Sequence, residues 1–105
     1  MSRKKNESVR LDLNNPVFQK QLFSLPKKEQ WSVLGTLRKI SNMTWQQIYH
    51  DKGLKWEIIY SRSGPNGARL YSFGIGKGFR GVAHREEFWL RILSLHPVHD
   101  TAYDS

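Results

Sequence analysis

The fold is decided by Arg69-Leu70-Tyr71-Ser72-Phe73-Gly74-Ile75-Gly76-Lys77-Gly78-Phe79-Arg80 and its continuation Gly81-Val82-Ala83-His84-Arg85-Glu86-Glu87-Phe88-Trp89-Leu90-Arg91-Ile92-Leu93-Ser94-Leu95-His96. Tyr71, Phe73 and Ile75 alternate with Ser72 and Gly74, the period of a strand with one apolar face. Gly76-Lys77-Gly78 turns the chain, because glycine reaches the backbone angles a tight hairpin demands. Phe79 to His84 returns and Arg85-Glu86-Glu87 turns again. Phe88 to Leu95 is then apolar on both faces apart from Arg91, as in a central strand. The stretch predicts a three-stranded antiparallel meander.

Upstream, Val9-Arg10-Leu11-Asp12-Leu13 alternates in the same way and predicts a further strand. Asn14-Asn15-Pro16 starts a helix, since Asn caps the free amides and Pro fits the first helical position. Val17, Phe18, Leu22 and Phe23 form its apolar stripe. Pro26 ends that helix and opens a second, in which Trp31, Leu34, Leu37 and Ile40 recur at helical spacing with Val33 beside them. Thr44-Trp45-Gln46-Gln47 is a capping box for a short helix to His50, stopped by Gly53. Lys55 to Tyr60 reads as a strand or a turn of helix, because Ile58 and Ile59 together blur the period. Ser61 to Gly67 is a loop by its Gly-Pro and Asn-Gly punctuation. The expected architecture is α+β: an antiparallel sheet, made of the N-terminal strand plus the C-terminal meander, with two or three helices packed on one face and the other face open.

The chain has 105 residues, enough for one modest core. Residues 9–103 are expected to form a single domain behind a flexible N-terminus of residues 1–8. Seventeen Lys and Arg against nine Asp and Glu give a formal net charge of +8, which calls for an anionic partner. Up to Ile59 there are 11 basic and 5 acidic residues, and beyond it 6 and 4, so most of the excess is upstream. With no cysteine there is no disulfide, thiol nucleophile or cysteine-ligated zinc. Ser2 to Asn6 lacks the apolar run of a signal peptide and no segment has the length of a membrane span, so a cytoplasmic protein with no membrane partner is expected.

Arg80 follows the glycine turn at the start of a strand, where its guanidinium can hold two phosphate oxygens; the competing reading is a surface salt bridge to Glu86 or Glu87. Lys77 in the turn either adds a second cation or is merely solvated. His96, His99 and Tyr103 follow the central strand, and an imidazole, titrating at about pH 6.5, can exchange protons in ribose 2′-hydroxyl chemistry. The plainer reading ends the strand at His96 and leaves His99 exposed. His96 and His99 with Asp100 lack the spacing that fixes further metal ligands, so neither metal nor other cofactor is expected. Arg91, alone in an apolar strand, must reach a carboxylate or the open face. Tyr71, Phe73, Phe79 and Trp89 either stack on bases or fill the core. No phosphate-cradling Walker loop, nucleophile elbow or paired-carboxylate arrangement is present.

Tyr71 to Ala83, followed by Leu90-Arg91-Ile92-Leu93-Ser94-Leu95-His96-Pro97-Val98-His99-Asp100-Thr101-Ala102-Tyr103, resembles the RelE/ParE superfamily of bacterial toxins. Element order matches from Val9 to Tyr103, and the specific motifs lie between Tyr71 and Tyr103. The resemblance implies a RelE-like fold and the toxin of a type II toxin–antitoxin pair, held inactive by a cognate antitoxin that wraps it. It implies metal-free cleavage of messenger RNA, often on the ribosome. Arg80 matches the strand arginine that holds the scissile phosphate. His96, His99 and Tyr103 fall in the region of the acid, base and base-stacking groups, with His99 first choice as base and Tyr103 on the leaving side; their roles are interchangeable at this stage. Lys77, Arg91, Arg69, Arg62, Lys55, His84 and Arg85 form the expected RNA-binding set, and Lys52 is a further contributor. Thr44 to Gly67 is an insertion relative to the shortest members. Some branches poison DNA gyrase instead; Arg80 with His99 and Tyr103 favours the nuclease branch. The charge alone also fits a non-catalytic nucleic-acid-binding module.

Overall fold

A computed structural model describes residues 7–97. In chain order it contains β1 (Arg10–Asp12), α1 (Pro16–Ser24), α2 (Lys27–Ser41), α3 (Trp45–His50), β2 (Glu57–Ser63), a single 3-10 turn (Pro65–Gly67), β3 (Arg69–Gly76), β4 (Phe79–Glu86) and β5 (Trp89–His96). The five strands make one sheet in the order β1-β5-β4-β3-β2. Pairing is antiparallel from β2 to β5, and β1 lies parallel to β5 with Arg10 opposite Trp89 and Asp12 opposite Arg91. The fold is α+β, as the pattern implies, with helices on one face of the sheet.

Two details differ from the expectation. The meander has four strands, because Glu57 to Tyr60 resolves as the start of β2, within the stretch read as an insertion, and β2 runs on through Ser63 into the segment read as a loop from Ser61. Ile58 pairs with Tyr71 on the helix-covered face and Ile59 with Leu70 on the other, so both neighbours are half-buried and the alternation disappears. The N-terminal strand is parallel to its neighbour, which makes the sheet mixed. A parallel pair needs a long crossover, and the chain between β1 and β5 supplies it.

The helix starts follow their residues. Asn15 Oδ1 accepts from the amides of Val17 and Phe18 at 2.8 and 3.2 Å. At α3, Gln47 N donates to Thr44 Oγ1 and Thr44 N to Gln47 Oε1, a complete capping box. The buried side of α2 is Val33, Leu37 and Ile40, while Trp31 and Leu34 face solvent at 72% and 56% exposure. Apolar residues occupy two sides of this helix, so periodicity alone cannot orient it.

The core joins Phe18, Val33, Leu37, Ile40, Ile48 and Leu54 to Phe73, Leu90, Ile92 and Leu95 of the sheet. Trp45 donates its indole N–H to the Glu87 carbonyl at 2.7 Å, fastening α3 to the β4–β5 turn. Trp56 stacks on Tyr71 with centroids 4.8 Å apart. Among the four aromatics weighed for base stacking, Phe73 and Phe79 are core residues and Trp89 is exposed. Arg91 reaches both Asp12 and Glu86, the carboxylate partners a lone charge in an apolar strand needs. Glu86 first, then Asp12, hold Arg91 above its ordinary pKa against partial desolvation.

Gly81 lies opposite Phe73 in the β3–β4 ladder, and a Cβ there would come within 2.7 Å of Phe73 Cε1. Gly81→Ala therefore displaces the central ring of the core, at a cost of about 1–3 kcal/mol. Thermal unfolding should show a midpoint several degrees lower; an unchanged midpoint would mean that the ring has slack.

Candidate functional site

The β4–β5 register sets Arg80 opposite His96, and the β3–β4 register sets it opposite Gly74. Phe79 and Gly81 on either side of Arg80 face the helices, so Arg80 stands on the open face. Its Nη2 donates to Ser72 Oγ at 2.7 Å and to the Lys55 carbonyl at 2.9 Å, and Glu57 Oε1 lies 3.9 Å from the same nitrogen. The salt bridge read from the sequence, to Glu86 or Glu87, is not formed; Glu86 is taken by Arg91. Among the described residues Arg80 makes no hydrogen bond through Nε or Nη1. The guanidinium is thus oriented from one end and presents the other.

That orientation depends on a close approach of two backbones. Gly74 N donates to Leu54 O at 2.6 Å, and a Cβ on Gly74 would lie 3.0 Å from Gly53 O. The missing side chain lets the Gly53–Lys55 turn settle on β3. Lys55 adopts φ +47, and its carbonyl is thereby brought to Arg80. Asp51 braces the turn, accepting at Oδ1 from Leu54 N at 2.9 Å and from Lys39 Nζ at 3.1 Å. The Leu54 amide is the main cause that holds the Asp51 carboxyl below its ordinary pKa, outweighing desolvation, with Lys39 adding to it.

His96 ends β5 with Nε2 at 2.9 Å from Ser94 Oγ. The residue as a whole is exposed, yet partial burial of the ring, and then the positive charge of Arg62, push its pKa below the ordinary value. Arg80 and His96 are therefore brought together on the open face, with Lys55 joined through its main chain; Arg62 reaches them only as a charge felt by His96.

The remaining candidates are dispersed. Lys77 is exposed at the β3–β4 turn and Arg69 is exposed where β3 begins. His84 sits opposite Arg91 farther along the open face. Arg85 lies over the Trp45 ring at 4.4 Å and donates to the Tyr49 hydroxyl, an arrangement that ties the β4–β5 turn to α3. Arg91 is neutralised by its two carboxylates. His99 and Tyr103 lie outside the described residues, as do residues 1–6. Glu57, Ser72 and Ser94 belong to the cluster and were not singled out from the sequence. Ser72 carried a signal, as a polar position alternating with Tyr71 and Phe73, whereas Ser94 stands in a strand whose pattern is otherwise apolar on both faces; only the register places them beside Arg80 and His96. Among the described residues no three His, Asp or Glu side chains form a metal-binding group, and no helix is long and apolar enough to cross a membrane.

The architecture that presents this cluster is a RelE-like fold. The chain superposes on a chain of the archaeal RelE–RelB complex from Pyrococcus horikoshii OT3 with a TM-score of 0.58, at 19% identity, covering 87% of this chain and 96% of that one. A copper-bound mutant toxin from Helicobacter pylori gives a TM-score of 0.47 at 18% identity, over 85% and 93% of the two chains. No family model matches the chain, and no curated protein matches it by sequence.

Replacing Asp51 by Asn weakens the brace under the Arg80 turn and should lower the thermal midpoint by several degrees at pH 7. A depressed folded-state pKa contributes stability above the unfolded value, about 3.9, and the contribution is lost as pH falls through the folded one. The gap between wild type and Asp51→Asn should therefore narrow below about pH 4; a gap that stays constant down to pH 2 would show that the charge of Asp51 carries nothing.

Proposed function

We propose that this chain is the toxin of a toxin–antitoxin pair and cleaves RNA without a metal, and that Arg80 binds the scissile phosphate. The observation that carries the proposal is the oriented guanidinium of Arg80 facing His96 across the ladder, with Glu57 beside it on the helix-free face. A RelE-like fold and a net charge of +8 support the same reading.

In the proposed reaction the ribose 2′-oxygen bonds to the adjacent phosphorus and the bond to the 5′-oxygen breaks. The products are a 2′,3′-cyclic phosphate and a free 5′-hydroxyl. Arg80 stabilises the charge that accumulates on the non-bridging oxygens, the part of the barrier that fixed donors lower most. His96, kept neutral at pH 7 by burial and by Arg62, takes the 2′-proton, and Ser94 orients its ring. Glu57 is a second proton acceptor within reach of the same phosphate. Tyr103 keeps the role the family resemblance gives it, protonating the leaving 5′-oxygen, while the role of base that the resemblance gives first to His99 passes in this reading to His96. The antitoxin partner and the messenger-RNA substrate, on or off the ribosome, are part of the same proposal.

Expression of the chain alone should arrest growth and leave transcripts with 2′,3′-cyclic phosphate ends, on free or ribosome-bound RNA assayed side by side. Arg80→Ala should reduce cleavage by about 10²–10³-fold, and Arg80→Lys should rescue little, since a lysine cannot grip two oxygens in one plane. If Arg80→Ala still cuts at the wild-type rate, the mechanism is wrong; arrest with intact transcripts would assign a protein target such as gyrase.

The pH profile tests His96 separately. As the base it must be neutral, so cleavage should fall as pH drops through its pKa. Arg62→Ala removes a like charge, raises that pKa and should move the acid limb to higher pH, whereas His96→Gln should abolish the limb. An identical limb in all three proteins would remove His96 from the reaction.

A further inference from the structure

We infer, resting on the RNA substrate proposed above, that a hollow beside His84 on the helix-free face takes a purine base of the bound strand, and that Asn66 hydrogen-bonds to the edge of that base. Arg80, Val82 and His84 alternate along β4 with Phe79, Gly81 and Ala83, which face the core, so His84 shares the face of Arg80. The two are four residues apart, about 13 Å along the strand. A group bound at His84 is therefore distinct from the phosphate at Arg80, yet on the same continuous surface.

The hollow is built by the connection from β2 to β3. Leu70 and Val82 are only 2% and 5% exposed, although both stand on the side of the sheet that carries no helix. Gly64 lies over Leu70, since a Cβ there would come within 2.6 Å of Leu70 Cδ2. Gly64 N also donates to Ala68 O at 2.7 Å, which closes the connection on itself. Asn66, at φ +56, is thus carried by a packed segment. Asn66 and Ala68 line a cavity of about 380 Å³ together with His84, Arg85 and Glu86. His84 also borders a smaller cavity of about 200 Å³, shared with Arg91 and Leu93. The imidazole is half-buried with open space on two sides.

What the hollow can hold follows from which groups are already committed. Among the described residues neither ring nitrogen of His84 nor the side-chain amide of Asn66 has a hydrogen-bond partner. Both arginines that border His84 are engaged: Arg85 donates to the Tyr49 hydroxyl and the Glu87 carbonyl, and Arg91 donates to Asp12 and Glu86. The hollow therefore offers a flat ring, a methyl group and an amide, but no uncommitted guanidinium. A phosphate finds no counter-charge here. A base finds a ring to stack on and a donor–acceptor pair for its edge. A purine covers more of the imidazole than a pyrimidine does, so stacking favours it. An acidic peptide meets the same lack of a cation as a phosphate.

The test measures binding of labelled oligoadenylate and oligouridylate of about ten nucleotides to the full chain carrying Arg80→Ala, so that no strand is cut. Oligoadenylate should bind about tenfold tighter than oligouridylate. His84→Ala should remove most of that preference, His84→Phe should keep it, and Asn66→Ala should reduce it severalfold, all with the thermal midpoint unchanged. The slope of log affinity against log salt should be the same with and without His84, because a base contact releases no counterion. An undiminished preference in His84→Ala overturns the proposal. A shallower salt slope in that variant also overturns it, by making His84 a phosphate contact. Unchanged RNA binding together with weakened antitoxin binding overturns it in favour of a protein ligand. Binding in the expected pattern by a chain that cuts nothing would sink the nuclease reading and leave this subsite standing, whereas cutting with no effect of His84→Ala on binding would sink the subsite alone.

Discussion

The parallel pairing of Arg10–Asp12 with Trp89–Arg91 constrains the rest of the molecule. Two parallel neighbours cannot be joined by a hairpin, so the chain must leave one end of the sheet and return from the other. It does so through three helices on one face, then enters the sheet at its far edge as β2 and works back by hairpins to β5. The helices are thereby confined to one side, and the other side of the sheet carries none of them. The Arg91–Asp12–Glu86 group fastens this closure, tying β1 to β5 and to the end of β4 in a single contact. The carboxylates offset the cost of placing an arginine in an otherwise apolar strand.

On the open side Arg80, Ser72, Glu57 and His96 lie toward the β3–β4 hairpin, and His84 with the Arg91–Asp12–Glu86 group lies farther along the sheet. The feature that makes Arg80 more than a surface cation is that its direction is fixed. Ser72 and the Lys55 carbonyl hold one end of the guanidinium, and the carbonyl is available because Gly74 admits the Gly53–Lys55 turn. A guanidinium held in advance spends less entropy when it meets an anion than one that must be ordered by it. His96 stands opposite it in the ladder, its pKa pushed below the ordinary value by partial burial and then by the charge of Arg62.

Much of the fold was legible because it rests on local rules. The Asn15–Pro16 start, the Thr44–Gln47 capping box and the Gly76–Gly78 turn each involve residues within four positions of one another. What the sequence could not show was set by distant partners. Ile58 and Ile59 look aperiodic until Tyr71 and Leu70 are placed beside them, and the parallel direction of β1 depends on Phe88 to Arg91. The same applies to α2, whose inward side is chosen by the sheet it meets. For the candidate site, residue type pointed to Arg80 and His96, and the register added Glu57, Ser72 and Ser94. Residue type also pointed to Arg91 and Arg85, which the structure uses to hold elements together; a charge has the same appearance in sequence whether its counter-ion is a phosphate or a neighbouring side chain.

The partners that close the sheet are 79 residues apart, since Asp12 meets Arg91. A chain emerging from the ribosome N-terminus first has β1 and all three helices long before it has β5. Until β5 is synthesised, β1 has no ladder to join, Asp12 has no guanidinium, and Arg80 lacks the strand that carries His96 opposite it. The juxtaposition of Arg80 with His96 thus comes into being only once β5 has been made, although Ser72 and the Lys55 carbonyl can already orient the guanidinium.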